Sequence, residues 1–213
     1  MKSNRTGRCT AFIAMMVLMA AVQPANAEIR PAEPAILETA IARANPQVSA
    51  AVIFGLPTSL LERSDVYIAS DIRPDTVFVD ENGTPVPGQT EAETAFALAA
   101  CAPKSIAAVA GAGWSPANNA NCALVGSNPD VTKTYVKQQN PASSGSACWQ
   151  GRRFARTWVS NPPPLAGGYW KYTEGWVSLL CSNTSVKVGW GQVAAYPSIK
   201  IMGLTGYWYG QWS

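Results

Sequence analysis

Every tryptophan of this chain lies beyond residue 100, from Trp114 to Trp212, and so do four of its five cysteines. The segment before Cys101 has no tryptophan at all. Charge divides along the same line. Glu28 to Ala100 holds eleven acidic and four basic side chains, whereas Cys101 to Ser213 holds nine basic and two acidic. An acidic, Ala/Pro-rich front therefore precedes a basic back whose bulky rings and cysteines suit a small module that cannot build a large aliphatic core.

The first 27 residues read as a cleavable export signal. Lys2, Arg5 and Arg8 form a positive start, Cys9 to Val22 is a low-polarity run, and Ala25-Asn26-Ala27 is a small-x-small cleavage site behind Pro24. That run is shorter than the roughly 20 residues of a spanning helix. No second long apolar stretch follows, so no integral membrane segment is expected once the signal is removed. A secreted or periplasmic location follows from this reading. Within it, Cys101, Cys122, Cys148 and Cys181 are an even set in an oxidising compartment and read as two disulfides. Of the three possible pairings, Cys101–Cys122 with Cys148–Cys181 closes the shortest loops. A zinc site is disfavoured because there is no C-x-x-C and the chain contains no histidine. No metal or cofactor is expected.

The pattern along the chain predicts an α+β fold. A small helix-containing N-terminal part (28–100, acidic) precedes a mostly antiparallel β, disulfide-bonded C-terminal part (101–213, Trp-rich). Pro31 to Asn45 carries the apolar stripe Ile36, Leu37, Ala40 and Ile41 and predicts a helix stopped by Asn45-Pro46. Val48 to Phe54 fits a buried strand or a short helical segment. Asp65 to Asp71 and Thr76 to Asp80 read as strands, with turn chemistry at Arg73-Pro74-Asp75 and Asn82-Gly83. Thr90 to Ala100 has a helix start, with Thr90 as N-cap and Glu93 three residues on. Ala107 to Asn121 reads as a loop. Val131 to Val136, Cys148 to Ser160, Tyr169 to Cys181, Ser185 to Ala195 and Ser198 to Tyr209 read as strands rich in Trp, Tyr and Val. Val186, Val188 and Trp190 share one face of theirs.

The absence of histidine excludes Ser-His-Asp and Cys-His catalysis. Gly113-Trp114-Ser115-Pro116-Ala117 resembles a nucleophile elbow but lacks the closing glycine and an imidazole base. Neither glycine-rich phosphate motif occurs. A carboxylate pair remains as a histidine-free route to glycan cleavage, with Glu174, set between Tyr172 and Trp176, as the candidate. The bland role for Glu174 is partner to an arginine. Arg152, Arg153 and Arg156, interleaved with Trp149, Phe154 and Trp158, form the densest cation–aromatic cluster. It suits an anionic polymer, a core-plus-surface alternation, or docking of the acidic front of the same chain. The closing run Gly206 to Trp212 suits either an interaction surface or a core strand.

The favoured function is an exported non-enzymatic interaction protein of adhesin or appendage-associated type. It would bind a glycan or protein at a cell surface and no nucleic acid, which an exported protein seldom meets. The candidate binding residues are Arg152, Arg153, Arg156, Trp170, Tyr172, Trp176, Tyr207, Trp208 and Trp212: rings for stacking, arginines for charge-assisted hydrogen bonds. Two alternatives stand beside it, a glycan-cleaving enzyme using Glu174 and a structural envelope subunit assembling through its C-terminal strand. The mature chain is expected to take up no thiol label after denaturation without reductant; labelling at any of the four cysteines would remove the disulfide reading.

Overall fold

A computed structural model describes residues 34–63, 65–90, 95, 101–162, 167–182 and 184–213. The segment expected to be an export signal and almost all of the expected helix at 90–100 lie outside the described residues. Among the described residues the front supplies three named helices, α1 (Pro34–Arg43), α2 (Ala50–Phe54) and α3 (Thr58–Leu61), and two short strands, β1 (Tyr67–Ile68) and β2 (Phe78–Asp80). The helix expected over 31–45 is α1. The apolar run before Gly55 resolves as helix rather than strand, since only Ile53 of it is buried in α2 and helical spacing presents that one side chain to the core. The Asp80 carboxylate organises the Asn82-Gly83 turn by accepting from the backbone N–H of Asn82 and Thr84, both at 2.8 Å.

Ten strands follow among the described residues: β3 (Lys104–Val109), β4 (Asn118–Asn119), β5 (Ala123–Val125), β6 (Thr132–Gln139), β7 (Ser146–Ser160), β8 (Gly168–Ser178), β9 (Ser185–Gly189), β10 (Val193–Ala195), β11 (Ser198–Thr205) and β12 (Tyr207–Trp212). The molecule is thus mostly β, with its helices gathered in front. The strands form three four-stranded sheets, ordered β1-β10-β5-β2, β4-β11-β7-β8 and β3-β12-β6-β9. The last two are antiparallel throughout. In the first, β1 runs parallel to β10 and β2 parallel to β5, so sheet pairing crosses the change in texture at Cys101.

The buried side chains sort into layers by the two-residue period of each strand. Ile68, Phe78, Ala123, Val125 and Ala194 turn toward Ile53, Leu56, Leu60 and Leu61 of the helical side. Their neighbours Ala69, Leu124, Val193 and Ala195 turn the other way, onto Phe154 and Tyr172 of the second sheet, with Trp190 between. The opposite face of that sheet, Trp149, Ile199 and Ile201, packs on Tyr135, Trp208 and Trp212 of the third. The β11–β7 region is therefore buried on both faces. Cys101 is joined to Cys122 and Cys148 to Cys181, the short-loop pairing. None of the helices among the described residues is long and apolar enough to cross a membrane.

Two departures from the sequence reading share a cause. The runs 185–195 and 198–209 each divide into two strands, broken at Gly191 (φ +75°) and Gly206 (φ +54°). Glycine alone enters these left-handed conformations freely, which is why the chain turns there and not at a bulkier neighbour. The expected loop from Ala107 begins instead as β3, which Tyr207–Trp212 draws into a six-residue ladder. An added Cβ at Gly191 would come 2.5 Å from the Tyr172 ring. Gly191→Ala combines that overlap with backbone strain and is expected to cost about 2–4 kcal/mol, read from the urea unfolding midpoint.

Candidate functional site

The cation–aromatic cluster is organised by strand register. β7 and β8 pair over eleven positions, from Gln150↔Ser178 to Ser160↔Gly168. Arg152 faces Trp176, Phe154 faces Glu174, Arg156 faces Tyr172 and Trp158 faces Trp170. These eight side chains share one face because alternate residues of a strand point the same way. They form a ladder of cations over rings. Lys200 of β11 lies 4.3 Å from the Trp176 centroid, Arg152 lies 5.0 Å from Phe154, and Arg156 lies 4.6 Å from Trp170. Trp158 meets Trp170 edge-on at 5.2 Å between centroids. Arg153 falls on the opposite face, exposed and without an ion pair among the described residues.

Along this ladder the environment changes from core to surface. Arg152 is buried, and its Nη atoms are divided between two carboxylates and a carbonyl. Nη1 donates to Asp71 and, at 3.0 Å, to the Tyr196 carbonyl; Nη2 donates to Glu174 at 2.8 Å and to Asp71 at 3.3 Å. Burial alone would lower the Arg152 pKa, but the Asp71 and Glu174 carboxylates outweigh it and hold the guanidinium above its ordinary value. Arg156 keeps a partner too, Asp130 at 2.7 Å, on a carboxylate that is largely solvated. Beyond that pair the ribbon has emerged: β11 pairs with β7 only as far as Gly151, and Thr157, Trp158 and Ser160 are exposed.

Beside the ribbon is a pocket of about 240 Å³ between the end of α1 and the outer edge of β8. Tyr67, Tyr169, Trp170 and Tyr172 form its walls, and Arg43, Lys171 and Asp65 supply charge. The Arg43 guanidinium lies 5.9 Å from the Tyr169 centroid. Tyr67 and Tyr172 are tilted against each other at 6.0 Å, and the Tyr67 hydroxyl accepts from Asn45 Nδ2 at 3.0 Å. Burial raises the pKa of both hydroxyls, so both rings are neutral walls at physiological pH.

Of the nine candidate binding residues, Arg152, Arg156, Trp170, Tyr172 and Trp176 are brought together on this face. Arg152 and Tyr172 are buried within it; Arg156, Trp170 and Trp176 are reachable to different degrees. Trp208 and Trp212 are buried between the second and third sheets, so their rings face no solvent, while Tyr207 is exposed on the far side of β12. Arg43, Asp65, Tyr67, Tyr169 and Lys171 complete the site without having been singled out in the sequence. Tyr169 and Lys171 flank Trp170, so an edge strand with both faces dressed was a readable signal. Arg43, in the last turn of α1, was not tied to β8 by anything local.

The region can stack flat apolar faces, accept hydroxyl hydrogen bonds at Asp65, and attract anions at Arg43 and Lys171. It is poorly arranged for cleavage. Glu174 does stand near a second carboxylate, Asp71, but a guanidinium is wedged between them where a cleaving pair needs a water and the glycosidic oxygen. No protein-family model and no curated protein matches the chain. Removing Asp71 takes away the more buried of the two carboxylates on Arg152 and leaves only the half-exposed Glu174, so Asp71→Ala is expected to cost about 2–4 kcal/mol. Glu174→Ala, removing a half-exposed partner, should cost no more than about 1 kcal/mol. Chemical denaturation of the two variants side by side checks the order.

Proposed function

We propose that the chain is an exported, non-enzymatic binding protein of adhesin or appendage-associated type that takes a glycan on the outer end of the β7–β8 ribbon. The observation that carries this reading is the pair of exposed Trp158 and half-buried Trp170, with Arg156 stacked on the inner ring and exposed Tyr169 beside it. Trp158 and Tyr169 remain 48% and 41% exposed although the core has ample room for tryptophan elsewhere, as at Trp149, Trp190 and Trp208. Rings left at the surface, next to cations, on the part of a ribbon that has outrun its neighbouring strand suit the apolar faces and hydroxyl edges of a sugar. Export accords with the two disulfides and with the chain's leading segment.

The two other readings are less well supported. The Glu174 carboxylate is committed to Arg152, as an ion-pair partner rather than as half of a cleaving pair. Assembly through the C-terminal strand would need a free edge there, and β12 is already hydrogen-bonded to β3 on one side and β6 on the other. Screening the full chain against glycans immobilised at two salt concentrations tests the proposal. Trp158→Ala and Trp170→Ala are each expected to weaken binding about tenfold or more, the loss typical of a ring at the centre of a contact. The unfolding midpoint of Trp158→Ala should stay close to that of the parent, whereas Trp170→Ala, which removes a ring packed on the Phe154–Tyr172 layer, should lower it. Unaltered binding in both variants would remove the ribbon as the binding surface.

A further inference from the structure

Resting on that glycan reading, we infer that the pocket between α1 and β8 selects an acidic sugar, a hexuronate or similar unit whose ring lies against Tyr169 and Trp170 and whose carboxylate sits between Arg43 and Lys171. Three observations carry it. The first is charge that the fold does not use. The buried Arg152 is neutralised by Asp71 and Glu174 and Arg156 is paired with Asp130, yet neither Arg43 nor Lys171 makes an ion pair among the described residues. Both nonetheless line one cavity of about 240 Å³.

The second is the way Arg43 is held. Its guanidinium rests 5.9 Å from the Tyr169 centroid, which orients a planar donor at the rim while leaving its N–H groups available for a carboxylate. It also belongs to the last turn of α1, where the helix dipole favours the cation being there at all. The third is the remaining wall. Asp65 offers the acceptor that sugar hydroxyls need, and Tyr67, Tyr169, Trp170 and Tyr172 line the rest where the pocket wraps the free edge of β8, so a small inorganic anion would leave most of the cavity unfilled. An anionic ring with hydroxyls fits all three features at once. β8 is the outer strand of its sheet, so the pocket opens at an edge, and a chain of sugars can run past it along the ribbon toward Trp158.

The probes are a hexuronate oligosaccharide and its carboxyl-reduced counterpart, identical except for that group, titrated against the full chain and against Arg43→Met, Lys171→Met and Trp158→Ala. The parent is expected to bind the acidic oligosaccharide at least tenfold more tightly than the reduced one, with affinity falling as salt is raised. Arg43→Met and Lys171→Met should each narrow that preference severalfold, lowering affinity for the acidic sugar far more than for the reduced one. Trp158→Ala should weaken both sugars in proportion. Equal affinity of the parent for the two sugars would overturn the acidic-sugar assignment and leave the glycan reading standing. Failure of both sugars, together with every neutral glycan in the screen, would overturn both. Arg43 and Lys171 are not core residues, and melting curves of the two variants establish that a lost preference is not lost folding.

Discussion

A guanidinium removed from water must find partners, and the way Arg152 finds them orders much of this molecule. An uncompensated buried charge costs several kcal/mol, so the side chain can occupy its position only if acceptors arrive from elsewhere. They come from three separate places: Asp71 after β1, Glu174 on β8 and the Tyr196 carbonyl between β10 and β11. One side chain thereby fastens the acidic front to the basic back and the first sheet to the second. The opposition of charge between the two parts of the sequence is, at this point, an internal bond. Its hydrophobic counterpart lies beside it, where Phe154 and Tyr172 turn from the same ribbon face onto Trp190 and the undersides of β5 and β10.

That arrangement explains why the aromatic richness of the back does two different things. The second sheet is covered on both faces, by the first sheet on one side and the third on the other. A strand in such a position needs bulk in both directions, which Trp149 and Ile201 supply one way and Phe154 the other. Trp190, Trp208 and Trp212 fill the spaces between layers. These four tryptophans are structural. Further out on the same strands the packing thins: Trp170 is half-buried against the Phe154–Tyr172 layer, and Trp158 beyond it is exposed.

The long strands β6, β7 and β8, the α1 helix and the Val186/Val188 alternation of β9 were legible because each depends on residues within a few positions of one another, whereas β5 was not expected and Trp190, expected beside those valines, packs in the neighbouring layer. The breaks at Gly191 and Gly206 were legible in principle, since a lone glycine inside a strand pattern is a signal of a bend. β3 was not, because Ala107, Ala108 and Val109 are small and unremarkable until Tyr207–Trp212 pairs with them across about a hundred residues. The arginines illustrate the same limit. Parity along β7 separates Arg153 from Arg152 and Arg156 without any structure. Nothing near Arg152 announces that it, and not Arg156, is to be buried, because the deciding partner, Asp71, is 81 residues away. The pocket was hidden for the same reason: Arg43 and Tyr169 meet only when α1 docks against β8.

The β7–β8 ribbon thus uses one chemical theme in three settings. At Arg152 the cation over a ring is enclosed and paired with two carboxylates through its Nη atoms, and its role is cohesion. At Arg156 the cation lies on Trp170 with a single solvated carboxylate, so its field reaches outward. Past the last shared strand Trp158 and Tyr169 stand exposed, and the nearby cations Arg43 and Lys171 make no ion pair among the described residues. Desolvation makes the difference, since a pair shielded from water is strongly coupled and a pair in water is weakly so. A ligand that brings its own anion and excludes water at the outer end would make that end resemble the inner one. The geometry by which the protein holds its own Asp71 and Glu174 is, on this argument, the pattern by which it would hold a foreign carboxylate.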